Sequence, residues 1–198
     1  VTTGEGGIIV TNDKKKYEKL ILFRSHGIIK DSKKLFKKGR EAWYHEMHDL
    51  GFNFRLTDIQ AALGVSQMNK LNRFIEKRKE IARRYHQELC GLKHFILPKE
   101  IPGRKSSWHL YVVRIKPELA NARDFVFGEL RKSGIGVQVH FIPVYHHPYY
   151  KKLGYKTGLC PKAEMFSKTA ISIPIFPALT ADEQGKVIGV LQKLDKTI

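Results

Sequence analysis

A glycine turn followed by a helix start carries the clearest chemistry in the sequence, over Gly51–Asp58. Asn53 offers an amide donor and Arg55 a guanidinium, two positions apart and just ahead of a predicted helix N-terminus. These two donors and the positive end of a helix dipole together suit a phosphate or diphosphate. A purely structural interpretation also stays open, in which Asn53 only shapes the turn and Arg55 pairs with Asp58.

A second polar pattern runs over residues 138–143, Gln-Val-His-Phe-Ile-Pro. Side chains alternate along an extended chain, so Gln138 and His140 share one face while Val139 and Phe141 share the other. An aromatic and proline-rich loop follows, and polar groups beside exposed rings can hold a base, a sugar or a diphosphate. The alternative is a half-buried edge strand with ordinary aromatic packing.

The glycine-rich opening, Thr-Thr-Gly-Glu-Gly-Gly at residues 2–7, also allows two interpretations. Glycines let successive N–H groups converge on an anion, so the segment could cradle a phosphate. It matches neither the Walker pattern nor the Gly-x-Gly-x-x-Gly fingerprint. A tightly packed entry into a strand explains the glycines equally well.

Metal and nucleophile chemistry find little support in the sequence. The run His45–His48 lacks the His-Glu-x-x-His spacing that places two imidazoles one helical turn apart, and no third ligand matches it. Cys90 ends an amphipathic segment and Cys160 precedes a proline, without an identifiable activating histidine. We therefore expect no metal site and no cysteine nucleophile.

The first half of the chain holds the elements that must position the turn. We predict a strand and turn over residues 1–12, a helix over 13–24, and a long excursion without periodicity over 25–50. Thr57 and Gln60 form a capping box, and the apolar pattern after them predicts a helix of about thirty residues. A helix of that length usually bridges two parts of a protein.

The second half has the pattern of a small α+β domain from about 91 to 198. The predicted order is strand, helix, strand, loop, helix, strand and a final capped helix. The ranges are 108–115, 121–133, 137–142, 143–161, 162–170, 171–175 and a helix that begins at Thr180. The expected fold class is α/β, with domains at 1–90 and 91–198.

Composition places the chain among ordinary globular proteins. Its 198 residues carry 36 Lys and Arg against 19 Asp and Glu, which gives a net charge of +17, and 42% are hydrophobic. No apolar run approaches the ~20 residues that a bilayer span requires. Two widely separated cysteines cannot build a disulfide framework and no signal-peptide pattern is present, so we expect a reducing, cytoplasmic compartment.

The strong positive charge admits a nucleic-acid-binding module as a rival hypothesis. However, the basic clusters are spread along the whole chain, and no zinc-finger, RNA-recognition or helix-turn-helix signature accompanies them. A solvated basic surface that helps to attract an anionic small molecule is the simpler interpretation. We expect no nucleic-acid and no membrane partner.

Taken together, several stretches resemble the C-terminal part of the DegT/DnrJ/StrS-type sugar aminotransferases. The stretches follow the family's order and are residues 1–12, 23–27 and 46–64, Lys77-Arg78, and residues 138–143. The resemblance implies a fold-type I, aspartate-aminotransferase-like structure. Residues 1–90 would then end the large domain and include a bridging helix, and 91–198 would form the small domain. The resemblance also implies pyridoxal 5'-phosphate as cofactor and a homodimer whose subunits share the active site.

The resemblance also assigns roles to single positions. Asn53 matches the asparagine that reaches the neighbouring subunit's cofactor or substrate phosphate. The strand that contacts the nucleotide sugar is matched by Gln138, Val139, His140 and Phe141. Phe141 stands where tyrosine is common, so any hydroxyl contact there would be lost. Arg55 is a further substrate-diphosphate candidate on its charge alone.

In this family the Schiff-base lysine corresponds to a position two residues before Val1. We therefore expect a C-terminal fragment that holds no catalytic residue and does not transaminate alone. Residues 108–111 and 136–140 most resemble the branch that aminates UDP-4-keto-6-deoxy-N-acetyl-β-L-altrosamine in pseudaminic acid synthesis, with glutamate as the expected donor. A noncatalytic scaffold or regulator of the same fold is the remaining alternative.

Overall fold

The computed structural model describes residues 1–39 and 41–198. Its contacts divide the chain into two compact units, Val1–Leu71 and Asn72–Ile198. Both units mix helices with short antiparallel strands, which agrees with the predicted α/β class. The domain boundary predicted after residue 90 refers to a larger fold and stays a prediction.

In its described residues, the first unit holds two helices and one small sheet. Helix α1 spans Lys14–Arg24, helix α2 spans Asp58–Met68, and strand β1 (Ile28–Ile29) pairs antiparallel with β2 (Glu46–Met47). The Asp13 carboxylate accepts two N–H groups of the first turn of α1, at 2.9 and 3.1 Å. This cap satisfies donors that have no partner within the helix, and it confirms the predicted first helix.

The strand predicted over residues 1–12 is wrong for the described part of the chain. Its most apolar residues, Ile8, Ile9 and Val10, are exposed, and none of them belongs to a strand. A strand exists only through hydrogen bonds to a neighbouring strand, and the described residues supply none there. A short apolar run alone therefore could not settle this element.

The predicted helix of about thirty residues is also wrong, because two helices occupy its place. Helix α2 ends at Met68, and helix α3 begins a new segment at Leu71–Leu89. Asn69 and Lys70 form the turn between them. Asparagine hydrogen-bonds easily to nearby backbone groups, so it favours helix ends over helix interiors.

The second unit is built around a three-stranded antiparallel sheet in the order β3-β4-β5. Strand β3 spans Phe95–Ile96, β4 spans Tyr111–Ile115 and β5 spans Ala170–Ile173. The register places Val112 of β4 opposite Ser172 of β5. Strand β3 was not predicted, since two residues give no periodicity from which to recognise a strand.

Four further helices and two 3₁₀ turns complete this unit. The 3₁₀ turns are Pro117–Ala122 and Val144–His146, and the helices are α4 (Arg123–Lys132), α5 (Pro148–Lys152), α6 (Pro161–Thr169) and α7 (Ala181–Leu194). The predicted helices over 121–133 and 162–170 and the final helix are confirmed, the last with its capping box at Thr180.

The core of this unit is formed by α3, α4 and α7 together with the sheet. Its fully buried side chains include Tyr85, Tyr111, Leu130, Ile171 and Leu191. Each such side chain stabilises the fold by about 1.5–3 kcal/mol relative to leaving it exposed. This core fixes the position of strand β5, to which part of the candidate site is hydrogen-bonded.

The second predicted strand of this unit, 137–142, is reduced to a single bridge between Gln138 and Ser172. The segment leaves the sheet at once, and Pro143, which has no N–H to donate to a ladder, follows closely. The strand predicted over 137–142 is therefore wrong beyond that one pair.

Candidate functional site

The turn that carries Asn53 is held by backbone pairing with the end of α1. The Phe52 N–H donates to Phe23 O at 2.8 Å, and the Phe52 carbonyl accepts the His26 N–H at 2.9 Å. The resulting antiparallel bridge places Asn53 opposite Ser25. Because a slip of one residue would turn every side chain to the other face, this bridge decides where the Asn53 amide lies.

Two glycines make this pairing possible. A Cβ on Gly51 would overlap the Gly27 nitrogen and would lie 2.6 Å from the His26 carbonyl carbon and 2.9 Å from Leu22 O. Gly27 has a positive φ of 69°, and a Cβ there would overlap the Asp49 carbonyl. Only glycine fits at either position, so the turn depends on both.

The side chains of Asn53 and Arg55 are exposed, and no described residue pairs with either of them. Phe52 and Phe54 stack with ring centroids 5.1 Å apart, which shows that they share one face of the segment. Alternation then places Asn53 and Arg55 on the other face, as predicted. Within residues 1–39 and 41–198 neither side chain makes a hydrogen bond or an ion pair, so the predicted alternative of an Arg55–Asp58 pair finds no support.

The helix start after this turn is capped as predicted. The Thr57 hydroxyl accepts the Gln60 N–H at 3.3 Å, and the Gln60 side chain accepts the Thr57 N–H at 3.2 Å. Gln60 also donates from Nε2 to Glu5 O at 2.9 Å. A Cβ on Gly6 would lie 2.5 Å from Thr3 Oγ1, so this glycine serves close packing. Among the three glycines of the opening, only Gly6 makes such a close contact, since a Cβ on Gly4 or Gly7 would have no neighbour within 4 Å.

A carboxylate in the long excursion organises its loop. Glu46 accepts the N–H groups of Phe36 at 2.8 Å and Lys37 at 2.9 Å, the His48 Nε2 lies 2.7 Å away, and the Tyr44 hydroxyl donates at 3.2 Å. The Lys37 N–H first, and then the Phe36 N–H, lower the pKa of Glu46 to about 2. Sequence analysis considered this histidine-rich stretch only as a metal site and missed its role as a loop anchor.

Three findings bear on the other chemistry that the sequence suggested. Among the described residues, no group of three or more His, Cys, Asp or Glu is placed to hold a metal ion. Cys90 and Cys160 are exposed free thiols. No helix in residues 1–39 and 41–198 combines the length and apolar character that a membrane span needs.

In the second unit, Ser172 holds two of the predicted contact residues. The Ser172 N–H donates to Gln138 O at 2.7 Å, and the Gln138 N–H donates to Ser172 O at 3.2 Å. The Ser172 Oγ lies 2.7 Å from His140 Nδ1. Val139 is half-buried, and Phe141 is 70% exposed. The structure therefore brings Gln138 and His140 together beside strand β5, where both are hydrogen-bonded to Ser172.

The aromatic loop after these residues is fastened to α6. The Tyr145 hydroxyl donates to Glu164 at 2.8 Å and accepts the Cys160 N–H at 3.2 Å, while the Gly158 N–H donates to Glu164 at 2.6 Å. The hydrogen bond from Tyr145, and next that from Gly158, lower the pKa of Glu164. No local sequence signal could have found this anchor, because its two sides lie up to 19 residues apart.

Arg78 of α3 fixes the start of β4. Its Nη1 donates to Trp108 O at 3.1 Å, His109 O at 3.1 Å and Ile175 O at 2.7 Å. Trp108 has a positive φ of 49°, which is rare for a bulky residue. Burial lowers the pKa of Arg78, and the three carbonyls satisfy its charge. The arginine that supported the family resemblance thus has a structural function.

The predicted site residues fall into two sets. Asn53 and Arg55 belong to the first unit, and Gln138, Val139, His140 and Phe141 belong to the second. Each set is presented by a short backbone bridge, at Ser25 and at Ser172 respectively. Both sets present polar side chains toward solvent from segments whose backbone is already hydrogen-bonded.

Known proteins match this chain in sequence and in structure. A UDP-4-amino-4,6-dideoxy-N-acetyl-beta-L-altrosamine transaminase from Campylobacter jejuni is 36% identical over 200 residues, which cover 99% of this chain and 50% of that protein. Helicobacter pylori PseC, an aminotransferase involved in the biosynthesis of pseudoaminic acid, has a TM-score of 0.84 at 31% identity, over 95% of this chain and 48% of its own. Spr1654 from Streptococcus pneumoniae in its PMP form has a TM-score of 0.83 at 26% identity, over 96% and 47%.

The chain spans about half the length of these relatives. The structural likeness extends over nearly all of it and confirms the predicted aminotransferase-type α/β fold. The model of one family, described as the DegT/DnrJ/EryC1/StrS aminotransferase family, matches residues 1–192. This match covers the turn, the bridge and the loops described above, and the chain therefore belongs to the DegT/DnrJ/EryC1/StrS aminotransferase family.

Proposed function

We propose that this chain supplies part of the active site of a pyridoxal-phosphate-dependent sugar-nucleotide aminotransferase. The reaction would convert a nucleotide-linked 4-keto-6-deoxy sugar to the 4-amino sugar, with glutamate as the amino donor. The similarity to the Campylobacter jejuni transaminase and to PseC supports UDP-4-keto-6-deoxy-N-acetyl-β-L-altrosamine as the substrate and surface-glycan biosynthesis in the cytoplasm as the setting.

One observation carries this proposal: Asn53 and Arg55 lie just ahead of a capped helix N-terminus, and their side-chain donors have no partner among the residues that the structure describes. A neutral amide and a guanidinium beside the positive end of a helix dipole favour a phosphate or diphosphate. The donors are exposed and carry no internal partner among the described residues, so a ligand would not have to displace one. The net charge of +17 adds a long-range attraction for an anionic substrate.

The donor set also fits the phosphate of pyridoxal 5'-phosphate. When bound, this cofactor supplies the electron sink through which an amino group moves from an amino acid to a keto sugar. In our proposal Asn53 donates to the phosphate of the cofactor or substrate, and Arg55 pairs with the diphosphate. Gln138, Val139, His140 and Phe141 contact the nucleotide sugar.

A homodimer with a shared active site is part of the proposal. Several large apolar side chains of the first unit are exposed, among them Phe36, Trp43, Met47, Leu50 and Ile59. Exposed apolar surface of this extent is typical of protein interfaces. Sedimentation of the chain should therefore show a concentration-dependent dimer, and a strict monomer would remove this support.

Ligand titration followed by NMR tests the binding role. We expect UDP-N-acetylglucosamine and pyridoxamine phosphate to shift the side-chain signals of Asn53 and Arg55. The variants Asn53→Ala and Arg55→Ala should each weaken binding about tenfold, as expected for a lost hydrogen bond to a charged group. Arg83→Ala, which changes another exposed arginine, is the matched control. Equal affinities of all variants, or tight salt-sensitive binding of duplex DNA instead, would contradict the proposal.

Activity measurements address the catalytic part. In this proposal none of the chain's lysines forms the Schiff base, so the chain mixed with pyridoxal phosphate, glutamate and a 4-keto sugar nucleotide should show no turnover. Sustained amination would overturn that part of the proposal. A residue other than lysine at the Schiff-base position of the gene would favour the noncatalytic scaffold or regulator.

A further inference from the structure

Ser172 is the one buried residue that holds both polar members of the second set of site residues within the described part of the chain. It is 6% exposed, and its backbone makes two hydrogen bonds to Gln138. Its hydroxyl lies 2.7 Å from His140 Nδ1. A buried side chain with a short hydrogen bond has little rotational freedom, so it can fix the orientation of the imidazole ring.

The Gln138 side chain leaves its amide hydrogens for a ligand. Its Oε1 accepts the N–H of the next residue, Val139, at 2.9 Å. That N–H needs an acceptor, so the oxygen of the amide must face it and the amide orientation is decided by chemistry. The Nε2 group, with its two hydrogens, therefore remains to donate to a ligand.

The bond between Ser172 and His140 can run in two directions. If Nδ1 carried the ring proton and donated to Oγ, the hydroxyl hydrogen would need a second acceptor. Among residues 1–39 and 41–198, the Ser172 Oγ makes no other hydrogen bond. A buried hydroxyl without an acceptor is unfavourable by about 1–3 kcal/mol. If Ser172 instead donates its hydroxyl hydrogen to an unprotonated Nδ1, this cost does not arise.

We propose that Ser172 is a positioning residue that holds the ring proton of His140 on Nε2, so that the His140 ring and the Gln138 amide group both present donors to the ligand. Neighbouring donors suit acceptor-only oxygens, such as those of a diphosphate. The inference rests on the proposed function for the ligand's identity. Within the second set of site residues, it assigns contact with the diphosphate of the nucleotide sugar to these two side chains.

Nitrogen NMR of the His140 ring tests the positioning role without any ligand. In the wild-type chain we expect a single neutral tautomer with the proton on Nε2. Ser172→Ala should give a mixture of the two tautomers, whereas Ser172→Thr, which keeps the hydroxyl, should restore the single form. The control is Ser167→Ala, which alters a different buried serine, located on α6, and it should leave the ring unchanged. A proton on Nδ1 in the wild type, or an unchanged ring in Ser172→Ala, would overturn the inference.

Titration with inorganic pyrophosphate and with UDP tests the ligand class. Both should shift the side-chain signals of Gln138 and His140, and Ser172→Ala should bind about fivefold to tenfold more weakly, as expected for one hydrogen bond. Ser172→Thr and Ser167→Ala should bind both probes with affinities within about twofold of wild type. If neither probe shifts these signals, the diphosphate assignment is overturned. The tautomer experiment separately decides the role of Ser172, so the two failures are distinguishable.

Discussion

Replacing Gly51 by alanine tests how the first unit positions Asn53. The added Cβ would overlap the Gly27 nitrogen and would lie 2.6 Å from the His26 carbonyl carbon and 2.9 Å from Leu22 O. All three clashing atoms belong to the backbone, so no side chain can rotate away to relieve them. Overpacking usually costs about 1–3 kcal/mol, and we expect a value near the upper end, about 3 kcal/mol.

Amide hydrogen exchange measures this loss of stability at the turn itself. The Phe52 N–H donates to Phe23 O and the Phe54 N–H donates to Arg24 O, so both amides should exchange slowly in the wild-type chain. A loss of about 3 kcal/mol corresponds to a drop in protection of more than a hundredfold, since each factor of ten is worth about 1.4 kcal/mol. Amides of the α7 helix in the second unit should keep their protection.

The matched control is Gly7→Ala, because a Cβ on Gly7 would have no neighbour within 4 Å and its φ is not in the left-handed range. We expect this variant to change protection by less than about threefold, in line with surface substitutions within about 0.5 kcal/mol. If Gly51→Ala behaved like Gly7→Ala, the turn would not depend on close backbone contact. The bridge to Ser25 would then not be what positions Asn53.

Three other predictions concern single residues. Arg78→Met should lower the free energy of unfolding of the second unit by about 2 kcal/mol in urea denaturation, because three carbonyls lose their donor; full stability would contradict this. The lowered pKa of Glu46 means that its stabilisation is complete above its ordinary pKa of 4.5 and is lost as pH falls toward about 2. NMR titration of the Phe36 amide should show this loss, and Glu46→Gln should abolish the pH dependence. Burial raises the pKa of Tyr85 and Tyr111, so both should stay protonated above pH 10 until the core unfolds, and early phenolate absorbance from them would refute their burial.

Local signals predicted the starts of three helices. The capping boxes at Thr57 and Thr180 and the aspartate cap at Asp13 lie within three residues of the groups they satisfy. A single sequence contains all the information that such a cap needs, because donor and acceptor are neighbours along the chain. The helix starts were therefore predictable to within a residue or two.

Strands and long helices were less predictable, for different reasons. Residues 1–12 have strand-like sequence but no partner among the described residues, and pairing is a property of two segments. The long apolar pattern after Thr57 continued across Asn69 and Lys70, although the chain turns there. Periodicity indicates which residues face a core, but it does not show whether one helix or two present them.

The sequence predicted only the residues that are proposed to meet a ligand. Asn53 and Arg55 were predicted because their residue types and spacing suit an anion. Ser172, Glu164 and Arg78, which hold other site residues or their loops, each contact at least one partner 19 to 97 residues away in sequence. No motif connects such distant positions, so the residues that support a site need a structure to be recognised.

The two sets of site residues are built by the same physical means. At Asn53 and at Gln138, a backbone bridge uses the main-chain hydrogen bonds and leaves the side-chain donors without a partner in the described part of the chain. Unpaired donors contribute nothing to folding, whereas the glycines and the buried serine that hold the bridges tolerate little change. Substitutions at Asn53 or Gln138 should therefore leave stability almost unchanged and weaken ligand binding. Substitutions at Gly51 or Ser172 should alter the geometry of the donors, and at Gly51 the fold itself.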